Sequence, residues 1–573
     1  VNTPVTDSRA TDRTSRRVHT YEILAEDLKT YGVEVAFGLM SDDTADFAVT
    51  LDMMGIDFRG ARHENMAIAM AEAYAWATGG LGVAVIGRGP AAANGLHAAV
   101  YASRTGSKLL IIYGEMPVGG GLNGIGPDYK EFNAAAVFAA AGLRSFVATS
   151  PATARTTLAD ALATAERGGA VTLRLPTDVQ RAEIEIAADD RSPAVKPAPL
   201  PPAPGRPQSI AAAAALLEKA RRPLIIAGFG AHLAGAKPAL EQLAEKIGAV
   251  LITSARGKDM FRGHPCNLGV LGSFSHGAAR RLVDQTDCVI AFGAGLNFLT
   301  SSFGHSVPPV PRIQVDRLRA NIGRWLDVDV GIAGDARLVA EQLLEALPDR
   351  PAADKPFHTA ETRQFLADYD LASEFQDGGT ARTMDPRSLA IELDKLLPAD
   401  RNMVYDGGNF LGVVPYISTP GPGHFKMTND FASIGLAFGA ALGVARARPD
   451  NTTVLVVGDG GFVMTLGELE TVVREDLPLV IVVMNDCAYG AEVHFLKMHQ
   501  LPIAKSTFPD VDYAPVAEAF GFQTATVRTL DELRALAPML ARPEGPILLD
   551  CKINADIAAP FMDEFARFEA RED

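Results

Sequence analysis

Cysteine is scarce. The 573-residue chain has four, Cys266, Cys288, Cys487 and Cys551, scattered and without a CxxC pair. That spacing indicates neither a disulfide framework nor a zinc site. Long apolar runs are missing as well, since none approaches the roughly 20 residues that span a bilayer as a helix. Aromatic residues make up 7% of the chain, and their placement suggests no aromatic cage. Positive charge is in deficit: 53 Lys and Arg stand against 69 Asp and Glu, for a net charge of −16. An acidic surface repels phosphate backbones and anionic lipids, so neither nucleic acid nor a membrane is expected as a partner. Residues 1–17 are polar, and Arg16-Arg17 precede no apolar run. This segment reads as a disordered tail rather than an export leader, which leaves the cytoplasm as the default compartment.

The chain is 48% hydrophobic, enough for roughly two to four globular domains. Residues 192–207, SPAVKPAPLPPAPGRP, carry seven prolines and read as an extended connector. A second break opens at 348–357. These divide the chain into 18–185, 208–347 and 380–557, with linkers at 186–207 and 348–379 and a C-terminal tail at 558–573. Each piece alternates short apolar runs with longer amphipathic ones, which predicts an α/β fold with parallel sheets. Strands are expected at Val35–Gly38, Val83–Ile86, Leu109–Tyr113 and Val171–Leu175. The middle piece adds Leu224–Ala227, Val250–Thr253, Val289–Phe292 and Arg312–Val315. The third adds Met403–Asp406, Val454–Val457, Leu479–Met484 and Ile547–Asp550.

The most informative stretch is 455–490, LVVGDGGFVMTLGELETVVREDLPLVIVVMNDCAYG. It reads as strand, glycine turn, helix, strand, with an acidic or amide group closing each strand. Parallel strands bring those ends to one edge of the sheet, where ligands of open α/β sheets bind. Asp459 and Asp486 suit a hard divalent cation there, and the glycines let backbone N–H groups approach a phosphate.

Gly458-Asp459-Gly460-Gly461-Phe462, the ELxT helix, the Leu477-Pro478 turn and Asn485-Asp486 with Tyr489-Gly490 resemble a family signature. It is the thiamine diphosphate (ThDP) and Mg²⁺ signature of the acetolactate synthase, pyruvate decarboxylase and benzaldehyde lyase superfamily. The resemblance extends over essentially all of 18–555. It implies three doubly wound parallel-sheet domains: pyrimidine-binding, central and diphosphate-binding.

The same resemblance implies roles for individual residues. Asp459, Asp486 and the backbone carbonyl of Ala488 are the implied Mg²⁺ ligands; relatives commonly carry Asn at the position of Asp486. Gly458, Gly460, Gly461, Tyr489 and Gly490 belong to the diphosphate end, and Gly408 and Asn409 match a second diphosphate contact. In the segment Ala432-Ser433-Ile434, Ile434 is the implied apolar wedge that holds the cofactor bent. The carbonyl of Ala432 accepts from its pyrimidine amine. Glu64, in Arg62-His63-Glu64, matches the glutamate that promotes the imino form of the pyrimidine and so primes the thiazolium carbon. Asn94 ends the segment that stands in for the family's SGPGxxN.

The substrate side departs from the family more. Asp42 and Asp43 lie near positions where relatives keep a catalytic aspartate or histidine, and either is a candidate proton donor. Lys130 replaces a common active-site glutamine and is expected to attract a carboxylate or second acidic group on the substrate. His494, with Phe495, resembles the benzaldehyde lyase branch and is expected over the thiazolium. A histidine pair typical of pyruvate decarboxylases is absent from Gly114–Pro117. The turns Gly228-Phe229-Gly230 and Gly293-Ala294-Gly295 leave FAD in the central piece as a weak alternative.

Together these imply a lyase or carboligase acting on a small 2-oxo acid, aldehyde or hydroxy ketone. Non-oxidative 2-oxo acid decarboxylation is the alternative enzyme, and a catalytically silent regulatory homologue the non-enzyme one. In the family the glutamate and the diphosphate site come from different subunits, so a homodimer is the expected minimum and a homotetramer the expected assembly.

Overall fold

The computed structural model describes residues 15–118, 128–187, 190–349, 351 and 355–569. It contains three six-stranded sheets in which every pairing is parallel. The first sheet runs Asp57–Gly60, Val35–Gly38, Gly82–Ile86, Leu109–Glu115, Ala170–Pro176, Arg144–Val147. The third runs Phe425–Met427, Asn402–Tyr405, Thr453–Gly458, Leu479–Asn485, Ile547–Lys552, Gln523–Val527. Counted within each sheet, both have the strand order 2-1-3-4-6-5, a kinship between the two pieces that their sequences do not display.

The middle sheet differs. Asn267–Val270, Val250–Thr253, Pro223–Ala227, Cys288–Phe292, Arg312–Asp316 and Val330–Ala333 follow the order 3-2-1-4-5-6, that of dinucleotide-binding domains. Successive residues of its strands go to opposite faces. Ile225, Leu251 and Ile290 join one core, while Leu224, Ile252 and Val289 join the other. Both faces are covered by helices, so the interior strands are apolar without alternation. Leu479–Asn485, for example, is buried at every position. At about 1.5–3 kcal/mol per fully buried aliphatic side chain, such strands anchor the sheets.

Contacts divide the chain into two compact units, one of residues up to Ala198 with Leu442–Ala447, the other of Pro199–Ala441 with Arg448 onward. The first sheet lies in the former, the other two in the latter.

Three segments read as tails or linkers carry structure. Ser15–His19 pairs antiparallel with Glu183–Ala187, so Arg16 and Arg17 are strand residues. Val18, Ile23 and Ile186 form a small apolar cluster beneath that pair. In the second linker, Ala360–Ala367 is helical and Phe365 packs on the middle core. The C-terminal segment folds into a helix, Pro560–Glu569. Phe565 lies 6.2 Å from Phe495 and 5.8 Å from Phe303, and Ser273 Oγ donates to Glu564 at 2.6 Å. Residues 1–14 lie outside the described residues. Residues 190–206 have neither helix nor strand, in keeping with their proline content. No described helix is long and apolar enough to cross a membrane.

Candidate active site

Three neighbouring strands of the third sheet each run into an aspartate: Asn402–Tyr405 into Asp406, Thr453–Gly458 into Asp459, Leu479–Asn485 into Asp486. Parallel pairing places all three at the carboxyl edge.

Asp406 is completely buried. Its Oδ2 accepts from the Gly435 N–H at 2.6 Å and its Oδ1 from Thr428 Oγ at 3.2 Å. Burial raises its pKa to about 6. Asp406 therefore ties the segment 428–435 to the sheet edge. Within it Ala432 adopts a left-handed φ of 51°, and the buried Ser433 Oγ has no hydrogen-bond partner. Asp430 is ion-paired with Arg256.

Asp459 is buried and Asp486 partly so, and the two carboxyls are hydrogen-bonded to each other. Burial pushes both pKa values up, and the charge of Asp459 pushes Asp486 further. Two adjoining carboxylates share a proton because both cannot ionise cheaply. Asp459 Oδ1 is buried without a partner. A hard divalent cation takes oxygen ligands and replaces such a proton, so two carboxylates and the Ala488 carbonyl fit Mg²⁺, with diphosphate oxygens and water to complete the shell.

The turn that presents Ala488 is built from outside the motif. Asn485 Nδ2 donates to the buried Asp550 at 2.8 Å, and Asn485 Oδ1 accepts from the Cys487 N–H at 3.2 Å. Cys487 is thereby held at φ 56°, with its carbonyl accepting from Phe508 N at 2.7 Å. Asn485 stands in the signature and Asp406 and Asp550 close predicted strands, but the sequence assigned none of the three a role in shaping the site. Their signal is weak: each is an acid or amide at the end of a predicted strand.

The glycines have steric reasons. A Cβ on Gly461 would strike Asp406 Oδ2, one on Gly490 would strike Asp486 Oδ2, and one on Gly460 would sit 2.5 Å from the Tyr489 ring. Gly490→Ala is therefore expected to displace Asp486 and weaken Mg²⁺ binding at least tenfold. The melting temperature should move little, because Gly490 is the first residue of its helix. Titration of Mg²⁺ into variant and wild type checks this.

Asn409 binds through both ends of its amide: Nδ2 donates to the Ile557 carbonyl and Oδ1 accepts from the Ala559 N–H, both at 2.8 Å. Its amide holds the C-terminal segment. Gly408 has the glycine-favouring φ of 147°. Ile434 lies beside Gly407, where a Cβ would be 3.5 Å from its Cγ2. Gly458 backs onto Phe410. His494, on the helix Gly490–Met498, is buried; its Nε2 has no partner, and burial lowers its pKa and keeps the ring neutral.

In the first unit, Glu64 is the first residue of the helix Glu64–Thr78, capped by His63, whose Nδ1 accepts from Asn65 N at 3.1 Å. Glu64 is 8% exposed, and its Oε2 accepts from Asn94 Nδ2 at 3.0 Å. Asp42 and Asp43 part company. The Asp43 side chain is buried and accepts from Arg88 Nε at 2.8 Å, Ser41 Oγ at 3.1 Å and Lys130 Nζ at 3.1 Å. The Asp42 side chain is 70% exposed and pairs with Lys130. Lys130 is thus neutralised by two aspartates, where the sequence suggested a free cation.

The glycine turns of the middle sheet pack on each other. A Cβ on Gly228 would strike the Gly293 carbonyl, and Gly230 N already donates to that carbonyl at 3.1 Å. This contact accounts for the glycines without a bound nucleotide.

Comparison with known proteins matches three families in order. These are the N-terminal TPP binding domain of thiamine pyrophosphate enzymes over residues 18–125, their central domain over 210–343 and their C-terminal TPP binding domain over 406–551. Among similar proteins are the "Probable acetolactate synthase large subunit" of Methanocaldococcus jannaschii (27% identical over 94% of this chain and 93% of the relative), the sulfoacetaldehyde acetyltransferase of Rhodobacter capsulatus (28%, covering 95% and 96%) and the mouse 2-hydroxyacyl-CoA lyase 1 (24%, covering 96% of each). None of these matches supports FAD in the central domain. With ThDP-binding domains at both ends, a central domain between them and enzymes as relatives, the chain belongs to the thiamine diphosphate-dependent enzymes.

Proposed function

We propose that this enzyme is an Mg²⁺-requiring carbon–carbon bond lyase or carboligase that acts on small 2-oxo acids or 2-hydroxy ketones. The observation that carries it is the Asp459–Asp486 pair with its unpartnered oxygen, at the edge where a diphosphate would be held. When bound, ThDP supplies a thiazolium carbon able to make and break bonds to carbonyl carbons.

The chain's own residues do the rest. Asp459, Asp486 and the Ala488 carbonyl would hold the cation that neutralises the diphosphate, and Gly460 and Gly461 let backbone N–H groups approach it. Asp406 fixes the segment bearing Ala432 and Ile434. Glu64, its carboxyl oriented by Asn94, would hold and move the proton at the pyrimidine ring. Burial keeps water away from both carboxylate sites. Intact Glu64, Asp459 and Asp486 count against a silent homologue. In this reading two protomers complete each site, giving a homodimer or homotetramer in solution, which sedimentation velocity tests.

Products decide the reaction. Purified protein incubated with pyruvate, with and without ThDP and Mg²⁺, is expected to yield a coupled hydroxy-keto product detected by mass spectrometry. Acetaldehyde as sole product would establish the decarboxylase instead. No turnover of pyruvate, benzoin or a mixture of pyruvate with an aldehyde would reject the reading.

A further inference from the structure

We propose that Lys552 is a positioning residue for the cation site, and that it sets the preference of that site for Mg²⁺ over Ca²⁺ by fixing the Ala488 carbonyl. The inference rests on the cation reading given above. Lys552 ends the strand Ile547–Lys552 and pairs in register with Asn485, the last residue of Leu479–Asn485. It is 1% exposed. Burying an ammonium is costly unless its donors find acceptors. Here they have four: Nζ donates to the Val511 carbonyl at 2.6 Å and meets Asp510 at 2.9 Å, Asp550 at 3.1 Å and Asp512 at 3.3 Å. Asp550 stands two positions earlier on the same face of the strand. Asp510, Val511 and Asp512 belong to the loop before the helix Ala514–Glu518. The ammonium thus ties that loop to the end of the sheet.

The tie reaches Ala488 by two routes. In the first, Asn485 Nδ2 donates to Asp550 Oδ1 at 2.8 Å and to the Val511 carbonyl at 3.3 Å, both groups that Lys552 also holds. The other end of that amide accepts from the Cys487 N–H at 3.2 Å. In the second, the loop runs antiparallel to 487–489. Phe508 N donates to the Cys487 carbonyl at 2.7 Å, Tyr489 N donates to the Ser506 carbonyl at 2.9 Å, and Ala488 bridges to Thr507. Both routes converge on Cys487, whose φ of 56° is disfavoured for a residue with a Cβ. A peptide held in that region from outside relaxes when the holding bonds go, and the Ala488 carbonyl moves with it. Arg528 pulls the loop the other way, pairing with Asp510 at 3.2 Å and Asp512 at 3.3 Å. Without Lys552 those two carboxylates keep a partner, but one away from the sheet end.

Two simpler roles for Lys552 predict different results. Asp459, Asp486 and Lys552 all bear electrostatically on the Cys487 thiol. As a bare charge the ammonium would therefore oppose a cation, and its removal would tighten binding. As plain packing, its removal would lower stability and leave cation affinity alone. Positioning predicts weaker binding together with altered selectivity. Mg²⁺ demands near-ideal octahedral oxygens, whereas Ca²⁺ accepts irregular ones, so a displaced carbonyl penalises Mg²⁺ first.

Calorimetric titration of MgCl₂ and of CaCl₂ into the full chain at saturating ThDP, in wild type and Lys552→Met, tests this. Mg²⁺ affinity should fall roughly 10- to 100-fold in the variant, and Ca²⁺ affinity by less than about threefold. Amide hydrogen exchange of the metal-free protein supplies a readout that needs no cofactor: the Phe508 and Tyr489 N–H groups should lose protection in the variant. Asp512→Asn alters a carboxylate that is 49% exposed, and should shift the Mg²⁺ to Ca²⁺ ratio in the same direction by a smaller factor. It decides the matter if Lys552→Met does not fold. The proposal is overturned if Mg²⁺ affinity in Lys552→Met is unchanged or rises, if both cations weaken equally, if exchange is unaltered, or if Asp512→Asn leaves the ratio at its wild-type value. Wild-type ThDP binding that needs neither cation would reject the cation reading and this inference with it. Cation dependence in wild type that is unchanged in the variants would overturn this inference alone.

Discussion

Asp459→Ala is expected to weaken Mg²⁺-dependent ThDP binding on the order of 100-fold, about 3 kcal/mol. The variant leaves Asp486 as the single carboxylate on a cation that must offset a diphosphate, with no side chain to replace the lost oxygen. No neighbouring group offers a substitute, since the described residues contain no cluster of three or more His, Cys, Asp or Glu placed to hold a metal. Isothermal calorimetry of ThDP with saturating Mg²⁺ measures the loss. Wild-type affinity in the variant would refute the metal site.

The same pair predicts a pH dependence. The unfolded carboxylates titrate near pH 4, whereas burial and the charge of one carboxylate on the other raise the titration of the folded pair above that range. Folded protein without metal therefore keeps a proton that the unfolded chain has already lost. The stability this confers is fully present below about pH 4 and is lost as pH rises through the folded values. Mg²⁺ and ThDP displace that proton, so their affinity should rise over the same interval. Melting curves near pH 5 and near pH 8, with chelator and with cofactor, should show stabilisation by the ligands growing with pH. A stabilisation that shrinks would contradict the shared proton.

Glu64→Gln is expected to leave ThDP affinity within a few-fold of wild type and to reduce turnover by roughly 100- to 10,000-fold. The amide keeps the size of the side chain and its bond from Asn94, but it cannot exchange a proton with a ring nitrogen. Hydrogen–deuterium exchange at C2 of bound ThDP, followed by NMR, should slow in parallel. Unchanged exchange would remove Glu64 from the mechanism, while lost ThDP binding would make it a cofactor ligand first.

Much of this protein is legible in its sequence. All four interior strands of each sheet appear as apolar runs, because strands covered on both faces exclude polar residues. The edges were invisible: Asp57–Gly60, Arg144–Val147 and Gln523–Val527 are partly exposed and mixed in composition. The candidate ligands Asp459 and Asp486 were equally plain, since each closes an apolar run that reads as a buried strand.

The tertiary structure alone decided what adjacent polar residues do. Asp42 and Asp43 are neighbours in sequence, yet one is exposed and the other is locked beneath Arg88, 45 positions away. Asn409, expected from its motif to meet the cofactor, also binds a carbonyl 148 positions on. Lys130 looked free and is held by two aspartates 88 and 87 positions earlier. Hydrophobic burial repeats along the chain and can be read locally, whereas the partner of a charge or an amide depends on which distant segment the fold brings within about 3 Å.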